Sequence, residues 1–365
     1  MAEVNGMRIA VLKRTATARV TGIVRGFQYQ SAFSIPTQVE EKGITFRVTE
    51  IDDAAFRNCS TLTSITIPEG IVRIGKLAFA ECSSLTSITI PKTVTQIESG
   101  RVEIGENNYY GHLFTNCPSL TSIVVEEGNP RYKTTQNGNG IIDKTTNTLI
   151  AGDQTTIIPK DVINIGEYAF HSCDALTSVT IPDSVTSIGN GAFSNCKALT
   201  SVAIPDSVTS IGNGAFYKCF SLTSITIPDS VTSIGNGTFS DCYKLTSITI
   251  PDSVTSIGHR AFLDCRALTS VTIENEEGKV AIGGFAFPSF AKITYVGKPK
   301  DGVEKIVRIM VEVPTLLALL DGKATEKEVQ AICHNTKEQW NNSKYIYWGV
   351  DRLCRPHVTM QVRKL

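Results

Sequence analysis

The chain has 365 residues, and its 35 lysines and arginines balance 35 aspartates and glutamates, so the formal charge is zero. A neutral chain offers no electrostatic pull on nucleic acid or anionic membrane. No run of about 18 apolar residues is present to span a bilayer, and a length fit for two or three ordinary domains can instead be taken up by one elongated repeat body.

The N-terminus, MAEVNGMRIAVLKR, lacks the charged-then-apolar pattern of a secretory leader. The runs MRIAVL, TARVTGI and FRVTEI alternate apolar and polar residues between turns, which predicts strands. Residues 1–47 are therefore read as a small β cap, needed because an open repeat exposes core and strand edge. The first repeat-like phrase is VTEIDDAAFRNC, and the repeats run over 48–296. Their register is interrupted twice. An insertion, ESGRVEIGENNYYGH, occupies 98–112, and an irregular island covers about 126–156, where IIDKTTNTLIA reads as a hairpin of its own.

From Leu176 the register is strict, with Leu176, Leu199, Leu222, Leu245 and Leu268 recurring every 23 residues. A fixed period in the twenties marks a leucine-rich solenoid. In the unit starting at Leu222, Ile225 and Ile227 alternate with Ser224 and Thr226, the pattern of a strand with one buried face. Pro228 ends that strand, and Val231 and Ile234 re-enter the core. Gly235, Asn236 and Gly237 predict a tight turn with positive φ, after which Phe239 plugs the core. Phe193, Phe216, Phe239 and Phe262 are expected to form one buried stack. Eight of the ten cysteines (Cys59, Cys82, Cys117, Cys173, Cys196, Cys219, Cys242 and Cys265) hold one repeat position. They are read as a ladder of buried, reduced thiols rather than as bridges or metal ligands.

Beyond the repeats, Pro314 can start a helix over TLLALL, Thr325 with Glu328 has capping-box spacing, and the tail from Tyr345 returns to strand-like alternation. Residues 297–365 are read as a small α+β unit. There Cys333, His334, Cys354 and His357 could hold zinc, or Cys333 could bridge Cys354, or all could simply pack.

The phrase LTSVTIPDSVTSIGNGAFSNC resembles the BspA-like leucine-rich repeat family, whose unit is LxxLxIPxxVxxIGxxAFxxC. The stretch IPTQVEEKGITFRVTEIDDAAF is similar to the opening segment of such proteins from Bacteroides-type bacteria. The likeness covers about 34–290. It implies a right-handed coil with a parallel β-sheet and few short helices. It also implies a secreted or surface-borne adhesin of host-associated bacteria, although the sequence here shows no leader and leaves a cytoplasmic location open.

Function on such an array lies where repeats differ or where a uniform face is the ligand site. Tyr109, Tyr110 and His112 in the insertion and Tyr132 in the island are the candidate binding residues, since tyrosine-rich loops supply rigid contact area. The outward hydroxyls Ser178, Thr180, Ser224, Thr226, Ser247 and Thr249 form a second candidate face. Small hydroxyl residues also make an ordinary soluble strand surface, and binding hot spots usually need Trp, Tyr or Arg. The coil-edge residues Lys197, Tyr217, Lys218, Phe220, Tyr243 and Arg266 are read as solvent-exposed variation. No nucleophile elbow, phosphate loop or HExxH motif appears. The expected function is non-enzymatic binding, by a monomer without cofactor or metal, of protein or glycan on host or microbial surfaces. Nucleic acid and membrane insertion are not expected. The alternative is a spacer that presents 297–365.

Overall fold

The computed structural model describes residues 2–104 and 106–297, together with the backbone of three strands beyond them. The regular repeats contribute two extended stretches and a turn, and most of these are hydrogen-bonded to the same part of the next repeat. The first row contains the Ser-Ile-Thr strands, with Ser178–Thr180, Ser201–Ala203 and Ser224–Ile225 paired in parallel, then Ser247–Ile250, Ser270–Ile273 and Lys292–Tyr295. The second row contains the short Ser-Ile strands, running through Ser187–Ile188, Ser210–Ile211, Ser233–Ile234, Ser256–Ile257 and Ala281–Ile282. In the turn, the Phe193 N–H donates to Ala215 O at 2.8 Å and the Phe216 N–H to Thr238 O at 2.9 Å, one repeat on.

The side chains follow from this stacking. Outward Ser and Thr alternate with inward Ile and Val, as the pleat requires. The phenylalanines form a column: Phe170, Phe193, Phe216, Phe239, Phe262 and Phe287 stack face to face with centroids 5.0, 5.3, 5.4, 5.1 and 5.2 Å apart. Each cysteine thiol points inward, and those of Cys196, Cys219, Cys242 and Cys265 donate to the phenylalanine carbonyl of the preceding repeat at 3.1–3.3 Å. All eight are free and buried, and burial pushes their thiols up, Cys59 to about 11 and Cys117 and Cys265 to about 12. They stay protonated at neutral pH, so they act as packing groups and not as nucleophiles.

Two expectations need correction. No helix occurs among the described residues. Seven of the turns, from Ala54 with Asn58 to Arg260 with Asp264, have two left-handed residues four positions apart, and a left-handed residue stops helical propagation. Gly235 is also not a positive-φ residue, whereas Gly237 is, at +59°. Gly235 and its counterparts serve close approach instead: a Cβ on Gly212 would lie 2.5 Å from Asn190 N and 2.7 Å from the Gly189 carbonyl carbon. Replacing Gly212 by alanine should therefore push repeats apart and cost about 1–3 kcal/mol. A Cβ on Gly237 meets open space, so alanine there costs only the left-handed penalty, about 1 kcal/mol. Urea midpoints of the two variants check the order; a smaller loss at Gly212 would contradict this packing.

The N-terminal strands join both rows. Ala32–Ser34 pairs in parallel with Ser64–Thr66, and Ile44–Ile51 pairs with Arg73–Ile74. The insertion is an antiparallel hairpin, Gly100–Ile104 with Asn107–Gly111. The island is a three-stranded piece, Tyr132–Thr134, Gly140–Asp143 and Thr148–Gly152, spliced onto the second row at Asn164–Ile165. Beyond residue 297, Ile306–Ile309, Pro356–Gln361 and Ile346–Val350 form an antiparallel sheet. The expected helices, and Cys333, His334 and Cys354, lie outside the described residues.

Candidate functional site

The hairpin of residues 100–111 is held from both faces, because successive strand residues point to opposite sides. The Arg57 guanidinium lies 3.5 Å above the Tyr109 ring and pairs with Glu81 at 2.6 Å. On the other face the Tyr110 ring is 6.0 Å from Tyr168, which is 5.6 Å from His171. Tyr168 is half-buried, and desolvation together with Glu167 and Tyr110 pushes its phenol up to about 12. Tyr110 remains 42 % exposed. The result is a pair of tyrosine rings on a hairpin, one braced by Arg57 and the other by Tyr168.

Two of the four tyrosine and histidine candidates do not belong to that surface. His112 is buried; its Nδ1 accepts from the Phe114 N–H at 3.2 Å, while its Nε2 has no partner among the described residues. Burial pushes its pKa down to about 3, with His171 adding to the effect. Tyr132 is also buried, its hydroxyl accepting from the Ile97 N–H at 2.9 Å. Asn129 supports it: its Nδ2 donates to Pro91 O and Val94 O, and its Oδ1 accepts from the Tyr132 N–H at 2.7 Å. Tyr132 thus anchors the island to the preceding repeats. A large ring beside a turn reads as a contact residue in sequence, but here its hydroxyl is taken up by the Ile97 N–H of the preceding repeat.

The hydroxyl face is as the strand pattern predicts: Ser178, Thr180, Ser224, Thr226, Ser247 and Thr249 are all exposed. At the coil edge Phe220 stacks on Tyr243 at 4.8 Å, and the Arg266 guanidinium lies 4.5 Å from the Tyr243 ring. Among the described residues no cluster of three His, Cys, Asp or Glu is placed to hold a metal ion, and no helix is long and apolar enough to cross a membrane.

The repeats of this chain match the model of the BspA type leucine rich repeat region in six copies, over residues 29–132 and 163–294. The chain belongs to the BspA-type leucine-rich repeat family. No curated protein matches it. Its fold is similar to that of a leucine-rich repeat protein from Bacteroides ovatus, at 29% identity, with a TM-score of 0.52 over 81% of this chain and 71% of that one. It is also similar to the pneumococcal vaccine antigen PcpA, at 19% identity and a TM-score of 0.52 over 81% of this chain and 93% of that one.

Within this BspA-type array, sequence reasoning missed Arg57, Tyr168 and His171. Tyr168 carried a signal, since it stands where later repeats have Gly191, Gly214 and Gly237, and it adopts the same left-handed φ, 58°. Its ring covers Gly191, where a Cβ would lie 2.3 Å from Tyr168 Cε1. Arg57 carried none, because its partner Tyr109 is 52 residues away across the insertion.

Proposed function

We propose that this BspA-type protein is a non-enzymatic protein-binding module of the adhesin kind. It acts at the bacterial surface or after secretion, on protein or glycan of host or microbial surfaces. In this reading the repeats wind as a right-handed solenoid, capped by 1–47 and followed by the unit 297–365. Leucine-rich repeats are generally an interaction family, which supports binding rather than catalysis. The observation that carries the reading is the braced hairpin with Tyr110 42 % exposed, because rigid aromatics are the usual anchors of protein contacts.

Capture from extracellular-matrix and bacterial-surface extracts tests it, with the wild type beside a Tyr109→Ala/Tyr110→Ala double variant. The double variant should lose captured partner by about tenfold or more while its melting curve stays that of a folded protein. Undiminished capture sinks this site. The second reading, a spacer for 297–365, is favoured by the uniformity of the hydroxyl face. It predicts that a 1–296 truncation captures nothing.

A further inference from the structure

The first row has one place where a repeat fails to supply its strand. In register, Asp153 takes the position of Leu176, and Thr156 that of Val179. Asp153 cannot serve as a core leucine, so it folds the chain into a turn. Its Oδ1 accepts from the Thr155 N–H at 2.7 Å and the Thr155 hydroxyl at 2.8 Å, and the Thr156 N–H donates to Asp153 O at 3.2 Å. No strand forms over 154–158. A groove of about 1080 Å³ opens between this turn and the strand Ser178–Thr180.

The two sides of the break differ. The earlier strand, Ser122–Val125, is sealed by the island: the Ile123 N–H donates to Gly138 O at 2.6 Å and the Val125 N–H to Thr134 Oγ1 at 2.7 Å. The later strand is open. The Thr200 and Thr223 N–H groups each donate to the threonine carbonyl one repeat back, at 3.1 and 3.0 Å, whereas the Thr177 N–H, like that of Thr246, has no such acceptor among the described residues. Inward residues of this row are buried at Ile88, Ile123, Val202, Ile225, Ile248 and Val271, while Val179 is only partly buried. Row pairing also lapses between Ser224–Ile225 and Ser247–Ile250, yet there Ile225 and Ile248 stay 8 % and 3 % exposed, so the repeats remain in contact. At the groove Val179 packs against the core but stays partly exposed, and Ile157 across the groove is 66 % exposed.

We propose that this groove accepts an extended polypeptide segment from another protein, which adds as the missing parallel rung beside Ser178–Thr180. Main-chain hydrogen bonds supply affinity in such strand addition, and alternate side chains supply specificity. The open edge defines the segment's chemistry: a carbonyl for the Thr177 N–H, a branched apolar side chain over Val179, and small hydroxyl side chains facing out. That is the chemistry of this protein's own strand phrase. The site is separate from the Tyr109–Tyr110 surface and stands or falls without it.

The test titrates the full chain into a fluorescein-labelled peptide of the sequence LTSVAIPD, followed by anisotropy. One-to-one saturable binding is expected. Val179→Lys should weaken it about tenfold or more, and so should N-methylation of alternate peptide amides, which removes main-chain donors without altering the side chains. The Tyr109→Ala/Tyr110→Ala variant should bind the peptide as the wild type does. Absence of saturation by about 1 mM protein overturns the proposal, and so does equal binding of both N-methylated registers. Because the N-methylated peptides are tested on wild-type protein, the result does not depend on the Val179 variant folding.

Discussion

Replacing Phe216 by alanine is expected to cost about 3–5 kcal/mol, the range for deleting a buried phenylalanine and leaving its cavity. The ring is fully buried between Phe193 and Phe239, with interplanar angles of 6° and 3°. A column of equally spaced rings cannot collapse around a gap without breaking the hydrogen bonds that set the spacing. Stability in a repeat array comes from each unit and its neighbour contacts, so a mid-column cavity weakens both interfaces of one repeat. Urea denaturation of the variant measures the loss; a value under about 1 kcal/mol would place the ring outside the core.

Acid should destabilise the protein well above the range in which carboxylates titrate. His112 is held neutral by burial, with its pKa near 3, and burial also pushes His171 down, to about 4. In the unfolded chain both return to about 6.5. Above pH 6.5 both states are neutral and nothing is lost. Below it the unfolded chain takes up protons that the folded chain refuses, so stability falls by up to about 1.4 kcal/mol per pH unit per histidine. Between about pH 6.5 and 4.5 His112 alone should remove on the order of 2–3 kcal/mol. His171 adds less, being partly accessible. Glu98, Asp143 and Asp161, whose pKa values are lowered, add their losses only as pH falls through the carboxylate range. Asp153, whose carboxyl burial pushes up, works in the opposite sense. Urea midpoints at about pH 7, 5.5 and 4.5 measure the slope, and His112→Phe should flatten it. An unchanged slope in that variant would assign the acid loss to other groups.

The regular repeats were legible in sequence because each position recurs in the same surroundings. The strand Ser-Ile-Thr, the phenylalanine column and the buried thiols can be read from one unit and hold for its neighbours. The candidate site was legible only in part. Tyr109 and Tyr110 stand in an insertion that breaks the period; the Tyr110 ring is exposed there, and the Tyr109 ring lies under the Arg57 guanidinium. His112 and Tyr132 stand in comparable stretches and are core. Burial of those two depends on which strands close over them, and local composition carries no trace of that.

The sequence by itself determined the repeat, its family, the inward and outward alternation and the residues that fill the column, since these follow from a 23-residue period imposed on a stacked chain. Tertiary structure alone decided the rest. It turned the tyrosines of the hairpin onto Arg57 and Tyr168, gave Gly235 a packing role where a turn role was expected, and left the strand at Val179 without its neighbour. Each outcome depends on the contact between residues tens of positions apart, and there the repeat departs from itself. A periodic sequence specifies the common contact, but only the folded chain specifies the exceptional one.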